Sequence, residues 1–222
     1  MEKSVRPTLP DNCCLIETFG WWPWDGARHA ELHLERMEHS ANAMGLEFPI
    51  VKAIGLIDGL SGDFPLRCRL TLSAKDELDL ATANLPELST GVWRLGLASE
   101  RLQSDNPLLR HKTSHRPLYD KARSALGDLA DEVVFLNERD ELCEGTITNL
   151  FLDMGDEVLL TPALPCGLLP GILRQVMIES GRAQEAVLTL DDLRSANRIF
   201  AGNSLRGLIP ARWMGDSVPL IP

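Results

Sequence analysis

Several short segments of the chain hold residues whose types and neighbours suit chemistry. Arg110-His111-Lys112-Thr113 places a lysine among cationic neighbours. Such neighbours disfavour the ammonium form, and the neutral amine is a nucleophile; the same run also reads as a solvated basic loop. In Glu141-Leu142-Cys143-Glu144-Gly145-Thr146-Ile147-Thr148-Asn149-Leu150-Phe151, Glu144 interrupts a strand-like stretch. A carboxylate there lies at an exposed sheet edge or is buried against a cationic partner. Gly167-Leu168-Leu169-Pro170-Gly171-Ile172-Leu173-Arg174 leads a glycine-proline loop into a helix start. Free backbone N–H groups and the helix dipole favour an anion such as phosphate there, although a plain junction has the same composition. Gly202-Asn203-Ser204-Leu205-Arg206-Gly207 follows an apolar strand and reads as a turn or as the end of an anion cradle. In His33-Leu34-Glu35-Arg36-Met37, Arg36 is either a surface residue beside Glu35 and Glu38 or a fork aimed at a phosphate.

These residues need elements to hold them. Cys13 to Phe19 is apolar and strand-like, and Asp25-Gly26 marks a turn. The spacing of Leu34, Met37, Ala41 and Met44 predicts a helix from His29 to a stop at Gly45. A second amphipathic helix is expected over Pro49 to Leu60, with Pro49 in its first turn. Leu66 to Ser73 alternates apolar and polar residues as a half-buried strand does, and so do Trp93, Leu95 and Leu97. Ser99 to Pro107 is polar and reads as a crossover between domains. Beyond it, a helix is expected over Pro117 to Leu129, with Leu118, Ala122, Ala125, Leu126 and Leu129 inward. Strands are expected over Glu132 to Asn137, Leu142 to Leu152, Glu157 to Thr161, Ala186 to Leu190 and Arg198 to Ala201. Helices are expected from Pro170-Gly171 to Glu179 and after an Asp191-Asp192 cap. The fold class is therefore mixed α/β (α+β): a small α/β domain over residues 1–100 and a larger mixed domain over 101–222 that carries Lys112. No G-x-G-x-x-G or G-x-x-x-x-G-K-[ST] loop is present.

Composition narrows the partners. The net charge of -10 argues against nucleic acid, which requires a basic footprint. No apolar run approaches the roughly 20 residues that span a bilayer, and no export signal is read at the start, so the expectation is a cytoplasmic protein that binds no membrane. The five cysteines show no metal-ligand spacing and read as reduced, packed side chains.

Taken in order, H-L-E-R-M, N-P-L-L-R-H-K-T, E-G-T-I-T-N-L-F, L-L-P-G-I-L-R and G-N-S-L resemble the class IV aminotransferase family, the fold type IV pyridoxal-phosphate enzymes. The resemblance runs from about Leu15 to Arg212. It implies pyridoxal 5'-phosphate as cofactor and assigns roles by position. Lys112 matches the Schiff-base lysine and the catalytic base, and Arg36 the arginine on the cofactor phosphate. Glu144 matches the carboxylate that pairs with the pyridine nitrogen. Ile172 and Leu173 match the helix-start residues whose N–H groups hold the phosphate; members often carry threonine at the position of Leu173. Asn203 and Ser204 match the last phosphate and substrate contacts. The ring-hydroxyl tyrosine of the transaminases lies closer to the lysine than Tyr119, the one tyrosine here, so that role is not transferred.

The family includes lyases and transaminases that share this machinery. Arg101 to Pro107, Lys112 to Arg116, and Asn203 in place of threonine look most like 4-amino-4-deoxychorismate lyases, which release pyruvate and give 4-aminobenzoate for folate synthesis. Such a substrate is small, amino-acid-like and anionic, and Arg69, Arg101 and Arg116 are its candidate ligands. A D-amino acid or branched-chain transaminase is the alternative, and a non-catalytic protein that binds the cofactor is a third reading. The resemblance also implies a homodimer. Trp21, Trp22 and Trp24 are a substrate wall, a dimer contact or a cap on the first core.

Overall fold

The computed structural model describes residues 7–85, 91–215 and 221. The chain divides into two compact units. The first spans Met1–Glu87 together with His111–His115, and the second spans Leu88–Arg110 and Arg116–Pro222.

The first unit is an antiparallel sheet with two helices. Its strands are β1 (Cys14–Trp22), β2 (Gly26–Ala27), β3 (Leu66–Ser73) and β4 (Leu78–Asn84), in the order β2-β1-β3-β4. Leu15 and Phe19 of β1 and Cys68, Leu70 and Leu72 of β3 are fully buried, as alternation on one pleated face requires. Against them pack Leu34, Met37 and Ala41 of α1 (Ala30–Met44), and Ala53 and Ile57 of α2 (Ile50–Asp58). α1 stops where expected: Gly45 takes φ 74°, and its N–H bonds back to the last turn. Pro49 caps α2 rather than entering it. β4 was not foreseen, because Leu78–Asn84 keeps just one buried side chain, Leu78, and so lacks an apolar alternation. Trp21 belongs to the core, and the Trp22 ring lies where a side chain on Gly20 would stand, so position 20 accepts no Cβ. Trp21 therefore belongs to the first core, while Trp22 turns to the other face of β1, where the Arg28 guanidinium lies 4.1 Å from its ring centre, and Trp24 is exposed.

The second unit is a mixed sheet in the order β6-β5-β11-β10-β7-β8-β9. Its strands are β5 (Trp93–Leu102), β6 (Glu132–Asn137), β7 (Asn149–Asp153), β8 (Leu159–Pro162), β9 (Ala183–Ala186), β10 (Arg198–Asn203) and β11 (Gly207–Trp213). β5 pairs in parallel with β6 and β11, and β8 with β9; the other pairs are antiparallel. Helices α3 (Pro117–Ala125), α4 (Ile172–Glu179) and α5 (Leu190–Ser195) complete it. β6 and β7 are buried along their whole length.

Several boundaries differ from the sequence expectation. Ser99 to Leu102 is the end of β5 rather than a crossover, since Ser99 donates to the Ile221 carbonyl and Arg101 pairs with Leu136. α3 ends at Ala125, and Leu129 is exposed rather than inward. The strand expected over Ala186 to Leu190 lies earlier, as β9 over Ala183–Ala186, and Leu190 already opens α5: Thr189 and Asp192 form a reciprocal capping box, so the cap is Thr189 and not the Asp191-Asp192 pair. The expected strand Leu142 to Leu152 is broken at 145–148. There the buried Glu132 carboxylate accepts from Thr146 N, Thr146 Oγ1, Ile147 N and Thr148 Oγ1 at 2.6–3.2 Å. Donors turned to a carboxylate are lost to a strand ladder. Gly145 makes the bend possible, since a Cβ there would lie 2.8 Å from Glu132 Cδ.

Candidate active site

The first unit holds Lys112 and Arg36. Residues 112–114 run alongside β1. Ile16 N donates to the Lys112 carbonyl (2.8 Å), Ser114 N to the Cys14 carbonyl (2.8 Å), and Cys14 N to Ser114 Oγ (2.9 Å). This pairing fixes the backbone of Lys112, whose side chain is half-buried. Next to it, His111 Nδ1 meets Ser40 Oγ at 2.9 Å and its ring stacks on His39. Burial and the neighbouring His39 lower the His111 pKa.

Arg36 is held on α1 by Glu17 of β1. Its Nε and Nη2 donate to Glu17 Oε1 (2.8 Å) and Oε2 (2.6 Å), a bidentate fork that fixes the guanidinium plane. His33 Nδ1 reaches Glu17 Oε2 at 2.5 Å. Burial alone would raise the Glu17 carboxyl, but Arg36 and His33 outweigh it and hold the pKa at about 2. His33 moves the other way: burial lowers its pKa against the pull of Glu17. A neutral ring with the proton on Nδ1 reconciles the two, because it donates to Glu17 while the buried Nε2, which has no partner among the described residues, carries no proton. Arg36 is thus neither the surface residue nor a loose fork; it is a preset one. Arg69 stands on β3 opposite Thr18 and Ala81, half-buried.

In the second unit, most of the remaining residues singled out by sequence fall on one closed circuit of contacts. Glu144 is 6% exposed. Tyr119 of α3 donates its hydroxyl to Glu144 Oε1 at 2.7 Å, and Leu169 N donates to Oε2 at 3.2 Å. The Leu169 carbonyl accepts from Asn149 Nδ2 at 3.0 Å, and Asn149 Oδ1 fills the space beside Gly171 that a Cβ would take. Gly171 caps α4 with no side-chain bond to its first turn, which begins with Ile172 and Leu173. The Leu173 side chain packs on Gly202, where a Cβ would lie 2.7 Å from Leu173 Cδ2. Asn203 follows, and its Nδ2 donates to the Ile147 carbonyl at 3.1 Å. The neighbouring Thr146 carbonyl accepts from Arg116 Nη2, and the Arg116 guanidinium lies 5.0 Å from the Tyr119 ring centre, closing the circuit.

Not every residue behaves as expected. Asn203 Oδ1 is spent on the turn, accepting from Leu205 N and Arg206 N, which leaves its second Nδ2 hydrogen and its backbone for a further contact. Ser204 sits in that turn, half-buried. Arg101 is exposed and paired with Asp140 at 2.8 Å, and among the described residues it shares no hydrogen-bond or ion-pair partner with Arg116. Sequence reasoning missed Glu17, Asn149 and Glu132, and left Tyr119 without a role. Asn149 alone had a visible signal, as the last polar residue of E-G-T-I-T-N.

The donor set fits pyridoxal phosphate. A buried, twice-bonded carboxylate suits a ring N–H. Within the second unit an uncapped helix start suits a phosphate; within the first, taken by itself, a preset arginine suits the same group and a half-buried lysine suits an aldehyde. The two glycines at 171 and 202 keep side chains off the circuit between α4 and β10.

The family model of amino-transferase class IV matches residues 15–213. A solved structure from Mesorhizobium loti, provisionally named an amino-acid aminotransferase, is 46% identical with a TM-score of 0.85 and covers 91% of this chain and 100% of that one. A Schizosaccharomyces pombe protein provisionally named an aminodeoxychorismate lyase is 26% identical over 78% of this chain and 79% of its own. A Thermotoga maritima protein provisionally named a branched-chain-amino-acid aminotransferase is 30% identical over 60% of this chain, which matches half (50%) of its length. The chain belongs to the class IV aminotransferase family, the fold type IV enzymes that work with pyridoxal 5'-phosphate.

Proposed function

We propose that this enzyme is a 4-amino-4-deoxychorismate lyase, releasing pyruvate and leaving 4-aminobenzoate. The observation that carries the reading is the placement of the chain's one phenol. Transaminases of the family, by the resemblance drawn above, keep a tyrosine close to the lysine for the cofactor's ring hydroxyl. Here Tyr119 is committed to Glu144, and Arg116 occupies the segment after Lys112.

Bound pyridoxal phosphate supplies an electron-withdrawing ring that stabilises negative charge at the substrate's α carbon. Lys112 would hold the cofactor, and its Nζ, when freed, would be the base for the substrate's α proton. Arg36, oriented by Glu17, and the first-turn N–H groups of Ile172 and Leu173 bind the phosphate, with the backbone at Asn203. Glu144 accepts from the ring nitrogen and keeps it protonated. Ser204, Arg69, Arg101 and Arg116 are the proposed ligands of an anionic, amino-acid-like substrate. The electron pair left at the α carbon would form a ring double bond as the adjacent C–O bond to the enolpyruvyl group breaks; the enolate that leaves would take up a proton, the one held on Lys112 Nζ, and become pyruvate, and aromatisation of the substrate's own ring would drive the step. We further propose that the enzyme acts as a homodimer in the cytoplasm.

The test is an assay of purified, cofactor-loaded protein. Pyruvate release from aminodeoxychorismate is expected. Amino transfer to 2-oxoglutarate without pyruvate release overturns the lyase reading in favour of a D-amino acid or branched-chain transaminase, the alternative that the Mesorhizobium loti structure's name supports. Lys112→Ala abolishes either activity, and borohydride fixes the cofactor to Lys112 as read by peptide mass. Activity that survives the substitution refutes the assignment of the lysine. A protein that neither takes up the cofactor nor gains its absorbance refutes every role above.

A further inference from the structure

We propose that Tyr119 is a positioning residue for Glu144: its phenol holds the carboxylate in the orientation in which it meets the cofactor's ring nitrogen. This rests on the role given to Glu144 above. The geometry is built for it. The hydroxyl donates to Oε1 at 2.7 Å while Leu169 N donates to Oε2 at 3.2 Å, so each carboxylate oxygen has a fixed donor and the plane of the group is set. A carboxylate has about four acceptor positions, so both oxygens retain capacity for a ring N–H. The phenol is itself immobilised. Its ring meets Phe135 edge-on at 5.1 Å, and the Arg116 guanidinium lies 5.0 Å from its centre. Burial, and then the neighbouring Glu144 charge, push the Tyr119 pKa well above 10, so the hydroxyl remains a donor over the whole working pH range. The first turn of α3 thereby serves the carboxylate of a loop 25 residues further on.

A glutamate that loses the phenol donor samples more orientations, and the loss would fall on the steps that need the ring nitrogen protonated. Tyr119→Phe keeps the ring and removes the hydroxyl. It should lower kcat on the order of tenfold, the worth of one hydrogen bond to a charged group, with KM little changed. It should also weaken cofactor binding by about tenfold, read by absorbance titration of the stripped protein with pyridoxal phosphate. In the Glu144→Ala background the same change should alter that binding by less than about twofold, since the group being positioned is gone.

The outcomes separate the two claims. If Glu144→Gln binds cofactor and turns over as the parent does, the role of Glu144 falls. If Glu144→Gln is impaired while Tyr119→Phe binds cofactor as tightly as the parent or more tightly, the Tyr119 proposal alone falls. Equal losses from Tyr119→Phe with and without Glu144 make the phenol a packing group and also overturn the proposal. The parent fold gives an independent reading because Tyr119 is the one tyrosine in the chain. Growth on 3-fluorotyrosine then yields a single fluorine resonance from position 119. That resonance should shift when pyridoxal phosphate is added to the stripped protein, and an unmoved resonance counts against the proposal.

Discussion

Glu17→Gln tests the idea that a buried carboxylate sets the geometry of the first unit. Glu17 is 1% exposed and bonded to Arg36 Nε, Arg36 Nη2 and His33 Nδ1. Its folded pKa of about 2 lies some 2.5 units under the ordinary 4.5, which at about 1.4 kcal/mol per unit amounts to about 3 kcal/mol. The range of about 3–5 kcal/mol for breaking a buried ion pair agrees. A glutamine amide also turns N–H donors toward the donors of Arg36 or His33. The sign with pH follows from a depressed acid: the contribution is present in full above about pH 4.5 and is lost as the pH falls toward 2. With those two pKa values about 2 kcal/mol is gone by pH 3. Urea unfolding of the full chain at pH 7 should therefore place the variant about 3 kcal/mol below the parent, and at pH 3 the gap should narrow to about 1 kcal/mol. A variant as stable as the parent at pH 7, or a gap that does not narrow in acid, refutes the reasoning.

Glu132→Ala leaves the donors of Thr146, Ile147 and Thr148 without their acceptor. A loss of about 3–5 kcal/mol is expected, with amide exchange at Thr146 and Ile147 accelerated at least about a hundredfold; unchanged exchange would show that the carboxylate does not shape this loop. Burial raises the thiols of Cys68 and Cys166 to about 11 and that of Cys143 further still. At pH 8 iodoacetamide should leave these three unmodified in the native protein and alkylate them in urea, as read by peptide mass, and native-state alkylation of Cys143 would contradict its burial.

The sequence reading reached what is periodic or contiguous. Leu66–Ser73 appeared with the expected ends because its alternation reports a face half in water and half in a core. The helix over α1 appeared because four apolar residues share one stripe and Gly45 stops it. What it missed depends on partners distant in the chain. The 145–148 bend exists because Glu132, 14 to 16 residues upstream, draws the backbone inward. β11 was not seen because Gly207–Trp213 has one fully buried residue, Ile209, and takes its place from β10 and β5 on either side. The motif residues Arg36, Glu144 and Gly171 were legible as types, but their carboxylate, phenol and amide neighbours lie between 19 and 25 residues away and follow from no local spacing.

A net charge of -10 poses a problem for a protein whose cofactor and proposed substrate are both anions. The simplest remedy is a cleft of unpaired cations, but unpaired cations repel one another and lose their geometry. The structure uses a different arrangement in each unit. Arg36 is fixed by a carboxylate that is itself sunk in the core, so the anion Glu17 acts as a mount and its charge is already matched. Arg116 is fixed without a buried carboxylate, by the Thr146 carbonyl and the Tyr119 ring, and so keeps most of its charge for a ligand. Among the described residues its ionic neighbour is Asp120, which is exposed at 3.4 Å and contributes little in water. Acids thus serve three ends: many lie where water screens them, Glu17 aims a cation, and the buried Glu132 and Glu144 hold hydroxyl and backbone donors, so the local sign of the field is set by which acids are buried rather than by the sum over the chain.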